Sequence, residues 1–152
     1  MNRLLLYVHF NKFNLLSSHV EYQLEHIRPL FSRVIFISNS VLSDEVQAKL
    51  QGRGLIDDFI QRENQGFDFA AWRDGMTFLG DGTMQQYDSL TLMNDTCFGP
   101  LWDLESYYQR FETDDTVDFW GMTNFRSNSQ FKEHVQSYYL SFSKKVFLTA
   151  KR

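Results

Sequence analysis

The sequence is short of the features that mark several protein classes. A single cysteine, Cys97, excludes an intramolecular disulfide framework, and this residue reads as a small packed side chain rather than a nucleophile. No run of lysines and arginines occurs, and the formal net charge of −4 over 152 residues lacks the basic footprint of a nucleic-acid-binding surface. The apolar run Leu4 to Val8, preceded by Arg3 and interrupted by His9 and Asn11, is too short for a signal-peptide core and far too short to span a bilayer. A cytoplasmic protein without a transmembrane segment is therefore expected. Neither Gly-x-Gly-x-x-Gly nor Gly-x-x-x-x-Gly-Lys-Ser/Thr is present, which removes the dinucleotide fingerprint and the P-loop. Linkers, repeats and low-complexity segments are missing too. A chain of this length reads as one domain with a substantial single core.

What is present alternates. Short apolar runs at Leu4 to Phe10, Val34 to Ile37, Asp57 to Gln61, Ser89 to Met93 and Val117 to Met122 read as strands, with a further aromatic strand at Val135 to Phe142. Between them lie helical patterns: Ser17 or Ser18 to Leu30, with Val20, Leu24 and Ile27 on one face, then Asp44 to Leu50, then Trp102 to Phe111. Another helix carries Phe69, Trp72, Met76 and Leu79 on one face, with Asp68 as N-cap and Gly80 as stop. Ser143 reads as the cap of a last helix running from Lys144 to the end at Arg152. Repeated strand-helix alternation predicts an α/β fold with a mainly parallel sheet and helices on both faces. The large aromatic residues Phe67, Phe69, Trp72, Trp102, Phe119 and Trp120 are expected in the core, with Phe67 the one nearest a ligand.

Two polar clusters stand at predicted strand ends, where open α/β sheets bind ligands. The first is Arg62-Glu63-Asn64-Gln65-Gly66-Phe67-Asp68. Its Gly66 permits a positive φ or a close backbone approach, and the amides of the following helical turn face a potential anion such as a diphosphate. The second, Asn94-Asp95-Thr96, places an amide, a carboxylate and a hydroxyl ahead of the turn Gly99-Pro100. Each also has a purely local reading, as a common turn or an Asx-turn.

The order Asn64-x-Gly66, then Arg73 and Gly75 on a helix, then Tyr87-Asp88, an apolar strand and Asn94-Asp95-Thr96 resembles the nucleotide-diphospho-sugar glycosyltransferases of the GT-A fold. More narrowly, ENQGFDFAAWRDG, LMNDTCFGPL, DFWGMT and HVQSYYLSF resemble the rhamnan synthesis protein F family, along nearly the whole chain. The resemblance implies a GT-A/Rossmann-like donor-binding domain over residues 1–152, incomplete at its C-terminus, that extends a rhamnose-containing cell-surface polysaccharide such as a lipopolysaccharide. It implies that His9, Asn11, Ser38 and Asn39 hold the nucleotide, and that Asn64, Gly66, Phe67, Asp68, Arg73, Asn94 and Thr96 complete the donor site. The donor is then a nucleotide sugar, dTDP-rhamnose foremost, and the acceptor a growing polysaccharide or lipid-linked glycan, met at the inner face of the plasma membrane through partner proteins. Divalent ions in such enzymes bridge a carboxylate and the donor phosphates. Here Asn94 and Thr96 occupy the outer positions of the Asp-x-Asp motif, leaving Asp95 as the charged ligand for Mg2+ or Mn2+. Asp95, Asp118, Glu133 and His134 are the carboxylate and imidazole candidates for catalysis. Two alternatives stay open: a non-catalytic domain binding a nucleotide sugar or a partner, and an unrelated doubly wound nucleotide-binding fold.

Overall fold

The structure, a computed structural model, describes residues 1–149. In chain order the elements are β1 (Arg3–His9), α1 (Ser18–Ile27) with a 3-10 turn (Arg28–Leu30), β2 (Arg33–Ser38), α2 (Asp44–Gly52), β3 (Asp58–Gln61), α3 (Phe67–Leu79), α4 (Asp81–Met84), β4 (Ser89–Asn94), α5 (Glu105–Glu112), β5 (Phe119–Gly121), β6 (Asn124–Phe125), β7 (His134–Val135), β8 (Tyr139–Ser143) and α6 (Lys144–Thr149). The remainder of the helix expected to reach Arg152 lies outside the described residues.

Seven consecutive buried residues make β1 the centre of the sheet. Its neighbours β2 and β4 run parallel to it on either side, and β3 extends the parallel set beyond β2. Beyond β4 the direction reverses: β8 is antiparallel to β4 and to β5, giving the order β3-β2-β1-β4-β8-β5. The result is the expected α/β fold with a mostly parallel sheet, although apolar runs alone carried no sign of the reversed strand.

Period-two alternation along the strands divides the core between the two faces. Leu5, Tyr7, Val34 and Phe36 pack under α1, α2 and α5 through Val20, Leu24, Leu50 and Tyr108. Leu4, Leu6, Val8, Ile35 and Ile37 pack under α3, α4 and α6 through Trp72, Met84 and Phe147. Each such large side chain removed from water contributes about 1.5–3 kcal/mol before entropy. Gly75 sets the approach of α3, since a Cβ there would stand 2.7 Å from Ile37 Cδ1.

Several local expectations are corrected. The single strand Val135 to Phe142 is broken at Gln136 to Tyr138: His134–Val135 pairs with Asn124–Phe125 in a separate two-stranded ribbon, and Tyr139–Ser143 enters the main sheet. The break is held by Gln136 N donating to Thr123 O and Asn94 N donating to Tyr138 O. α3 is capped by Gly66 at φ 74°, with Asp68 in the first turn, and the helix of Trp102 begins only at Glu105. The Ser143 Oγ finds no hydrogen-bond partner among the described residues, so it does not cap α6. Of the aromatics expected inside, Trp72 is buried and Trp120 half-buried, while Phe67, Phe69, Trp102 and Phe119 are exposed. The buried face of α3 is centred on Ala71, Trp72 and Gly75, which turns Phe69 outward. No helix among the described residues is long and apolar enough to cross a membrane.

The start of β1 is fixed by Arg3. Its guanidinium donates to both carboxylate oxygens of Glu112, to both of Glu105 and to Leu30 O, using every N–H that an arginine has, and its Cζ lies 4.7 Å from the centre of the Tyr108 ring. Arg3→Met strands Glu112, whose side chain is 12% exposed. Such a partly buried, unpaired carboxylate predicts a loss of about 3 kcal/mol in urea unfolding, seen as a lower midpoint at unchanged slope. A midpoint equal to that of the parent contradicts the role assigned to this network.

Candidate functional site

Parallel strands bring their C-terminal ends to one edge of the sheet, and four such ends meet here: those of β1, β2, β3 and β4. The loops leaving them are knitted together. Phe10 N donates to Asp95 Oδ2 at 3.1 Å, Asn11 N to Ser40 Oγ at 2.7 Å, and Ser40 Oγ back to Asn11 O. Asn94 Nδ2 donates to Asp68 Oδ2 at 2.8 Å while its Oδ1 accepts from Thr96 N, so one buried amide ties the end of β4 to the first turn of α3.

Two carboxylates, Asp68 and Asp95, thereby lie at the same edge of the sheet, near enough for the charge of one to act on the other. Neither is in an ion pair with a lysine or arginine among the described residues. Burial raises the Asp95 carboxyl above the usual carboxylate range; the amides of Phe10 and Asp95 and nearby His19 partly offset this, and the Asp68 charge adds to it. Such a pair is stabilised by anything that brings positive charge. No group of three or more metal-ligating side chains occurs among the described residues. A hard cation here would therefore take its remaining ligands from water and substrate oxygens, as Mg2+ commonly does.

The guanidinium inside the site is Arg62. It reaches Asp74 Oδ2 at 3.0 Å, Asn39 Oδ1, and Gln65 O at 2.8 Å, tying the end of β2, the 62–66 loop and α3 to one side chain. Arg73, the arginine of the sequence pattern, is 74% exposed and has only a 3.4 Å contact with Asp74. The guanidinium held against the strand ends is thus Arg62, the first residue of the polar cluster, rather than Arg73 of the family pattern. Gly66 is required by its positive φ and by Ala70, whose Cβ would stand 2.5 Å from a Cβ at that position. Phe67 follows at φ 54°, a conformation a bulky residue rarely holds, and it stands 79% exposed at the start of α3. Asn64 is exposed on the same loop.

The residues expected to touch the nucleotide are mostly framework. His9 and Ser38 are fully buried and Asn39 nearly so. Asn11 forms an Asx-turn, its Oδ1 accepting from Phe13 N. The Asp118 carboxylate lies at the opposite edge: Ser143 N donates to its backbone carbonyl beside the start of β4, and Lys145 pairs with its side chain, so Asp118 is no part of this cleft. His134 and Glu133 belong to the ribbon that continues from the C-terminal end of β5, where His134 stacks on Phe125 and Glu133 accepts from Asn124 Nδ2.

Sequence reading missed the contribution of α1. His19 Nε2 lies 2.9 Å from Asp95 O and its ring packs on Phe98, while Gln23 Nε2 donates to Cys97 O. The available signal was the spacing of these two polar residues, which stand one helical turn apart on α1.

Comparisons with known proteins extend this picture. Residues 34–151 match the model of the family described as rhamnan synthesis protein F. The virulence protein VirA of Vibrio anguillarum is 35% identical over 89 residues, which is 57% of this chain and 26% of that protein. An uncharacterized protein of Sinorhizobium fredii is 29% identical over 127 residues, covering 82% of this chain and 32% of its own length. The chain thus spans about a quarter to a third of the curated relatives it matches. Among solved structures, a mannosyltransferase from Pyrobaculum calidifontis in complex with GDP-Man and Mn2+ superposes with a TM-score of 0.60 at 10% identity, over 93% of this chain and 44% of that one, which establishes a shared fold.

His9 gives the site a pH signature. Burial lowers its pKa from 6.5 to about 4, the Leu15 carbonyl partly opposes this and His19 adds to it, and its Nε2 completes no hydrogen bond among the described residues. Between these values the unfolded chain binds a proton that the folded ring refuses, so stability is full above 6.5 and falls as pH drops toward about 4, by up to about 3 kcal/mol. Asp95 acts with the opposite sign, since its raised pKa makes the folded state take the proton first. Denaturation across this range should be less pH-dependent in His9→Gln than in the parent; parallel profiles contradict the assignment.

Proposed function

Because the chain belongs to the rhamnan synthesis protein F family, we propose that it is the nucleotide-sugar-binding part of a glycosyltransferase that extends a cell-surface polysaccharide. The observation that carries this reading is the pair Asp68, held by Asn94, and Asp95, held by Phe10 N, at the C-terminal edge of the sheet beside the first turn of α3. The amides of that turn have no intrahelical acceptor and favour an anion. A nucleoside diphosphate brings such an anion, and with it the cation that the two carboxylates lack.

In this reading Asp68 and Asp95 hold Mg2+ or Mn2+, whose positive charge, when bound, neutralises the diphosphate as a leaving group. The chain's own groups do the rest. Asn94 keeps the Asp68 carboxylate turned into the cleft, Phe10 N and His19 hold the Asp95 loop, and Arg62 fixes the 62–66 loop that carries Phe67 to the mouth. The exposed Phe67 ring supplies an apolar face for the base or sugar. His134, on the ribbon beyond β5, is the candidate proton acceptor; Asp118 is not, being at the other edge. dTDP-rhamnose is the donor to test first, from the family's description. A second reading, a nucleotide-sugar-binding domain without transfer chemistry, is favoured by one observation: Asn94 and Thr96 stand where a fuller set of carboxylates would hold the metal more tightly.

Calorimetry with dTDP-rhamnose and Mn2+ tests the proposal. The parent should bind, and Asp95→Ala should bind more weakly by about 1–3 kcal/mol, the loss expected for hydrogen bonds to a charged group. No binding by the parent, or equal binding by the variant, overturns it. Donor binding without transfer to any rhamnose-containing acceptor supports the second reading.

A further inference from the structure

On the other flank of Asn94 lies a cavity of about 460 Å³ between the 97–104 loop, α5 and the connection from β5 to β6, a size typical of small-molecule clefts. No aspartate, glutamate, lysine or arginine lines it among the described residues. A phosphate or carboxylate would find no counter-charge there, so the ligand is neutral. Its walls are mostly aromatic and aliphatic, and two of its accessible aromatics, Trp102 and Tyr107, are uncommitted. Trp102 is 61% exposed and Tyr107 36%, and neither the indole N–H nor the phenol hydroxyl has an intramolecular hydrogen-bond partner among the described residues. Trp120 forms part of the inner wall, held by Tyr108 and Phe111.

We propose that this cavity takes one or two units of a neutral saccharide, the acceptor side of the reaction, an inference that rests on the donor-binding reading of the adjacent cleft. Three features point to a sugar over an alkyl chain. Free donors at Trp102 and Tyr107 suit hydroxyl oxygens, the open indole face suits the C–H face of a pyranose ring, and amphipathic aromatics of this kind combine an apolar body with a polar tip. Asn94 is common to the two sites: its side chain binds Asp68 and its backbone N–H binds Tyr138 O, so an occupant of the cavity sits next to the carboxylate pair.

Titration calorimetry with a rhamnose disaccharide, galacturonic acid and farnesol, on the parent, Trp102→Ala and Tyr107→Phe, tests the proposal, with dTDP titrated into the same samples in the presence of Mn2+. The disaccharide should bind the parent, Trp102→Ala should weaken it by about tenfold or more, and dTDP affinity should be the same in all three proteins. Trp102 is exposed enough that its truncation opens no core, which unchanged thermal midpoints would verify. No disaccharide binding, binding indifferent to Trp102→Ala, or tighter binding of farnesol or galacturonic acid overturns the cavity assignment while dTDP binding keeps the donor reading intact. Disaccharide binding without dTDP binding sinks the donor reading, and with it the acceptor role of the cavity.

Discussion

Everything in this molecule depends on β1 being buried on both faces and hydrogen-bonded on both sides. A strand so placed takes parallel partners only through crossovers that return each chain to the starting edge, so the polar ends of β1, β2, β3 and β4 collect on the opposite edge. The apolar interior tolerates polar groups poorly, and the first residues able to carry chemistry are those at which each strand leaves the core: His9, Ser38, Gln61 and Asn94. Two of these, His9 and Ser38, are still fully buried, and they serve as the floor on which the more exposed Asp95, Asp68 and Phe67 stand.

Charge is distributed unevenly around that floor. The arginines with the most complete hydrogen bonding, Arg3 and Arg62, are paired with carboxylates or amides inside the fold, whereas Asp68 and Asp95 receive only amide donors. Folding alone would favour pairing these carboxylates with a cation of the chain. Burial, with a smaller addition from the Asp68 charge, raises Asp95, and no lysine or arginine of the chain pairs with it among the described residues. The same contrast separates Asp118, satisfied by Lys145 at the far edge, from the carboxylates of the cleft.

Much of the fold was legible in the sequence because its signals are local. Apolar runs of four to seven residues and helices with one apolar face place nearly every element to within a few residues. Strand direction was not legible: β8 reads like its neighbours, and its antiparallel pairing with β4 follows from the 136–138 break and the pairing of Thr123 with Gln136, which are long-range facts. The polar clusters at the ends of β3 and β4 pointed to the candidate site, since loops at that edge of an open α/β sheet commonly bind ligands. Which side chains at that edge are engaged within the fold was hidden. His9, Asn11, Ser38 and Asn39 are polar residues at or just beyond the ends of β1 and β2, but His9 Nδ1 is engaged with Ser38, Asn11 with Ser40 and Phe13, and Asn39 Oδ1 with Arg62, and no spacing rule reveals that. The exposed aromatics were misread for a similar reason: composition puts Phe67 and Trp102 inside, and only the position of Gly66 and the late start of α5 put them outside.

The reversed strand has a consequence for the site as a whole. Had the strand beside β4 been parallel, its C-terminal end and the loop beyond would have joined the cleft edge directly. Because β8 runs the other way, the segment that enters it passes Tyr138 over the end of β4, where its carbonyl accepts from Asn94 N, and the ribbon of β6 and β7 stands outward beside it. The end of β4 is therefore walled on one side by α3 and its carboxylate, and on the other by aromatic residues from β5, β8 and the 97–104 loop. A single residue, Asn94, separates a charged half from a neutral half. That division follows from topology before any ligand is considered, and it sets a carboxylate-bearing surface directly against an aromatic one without charged lining.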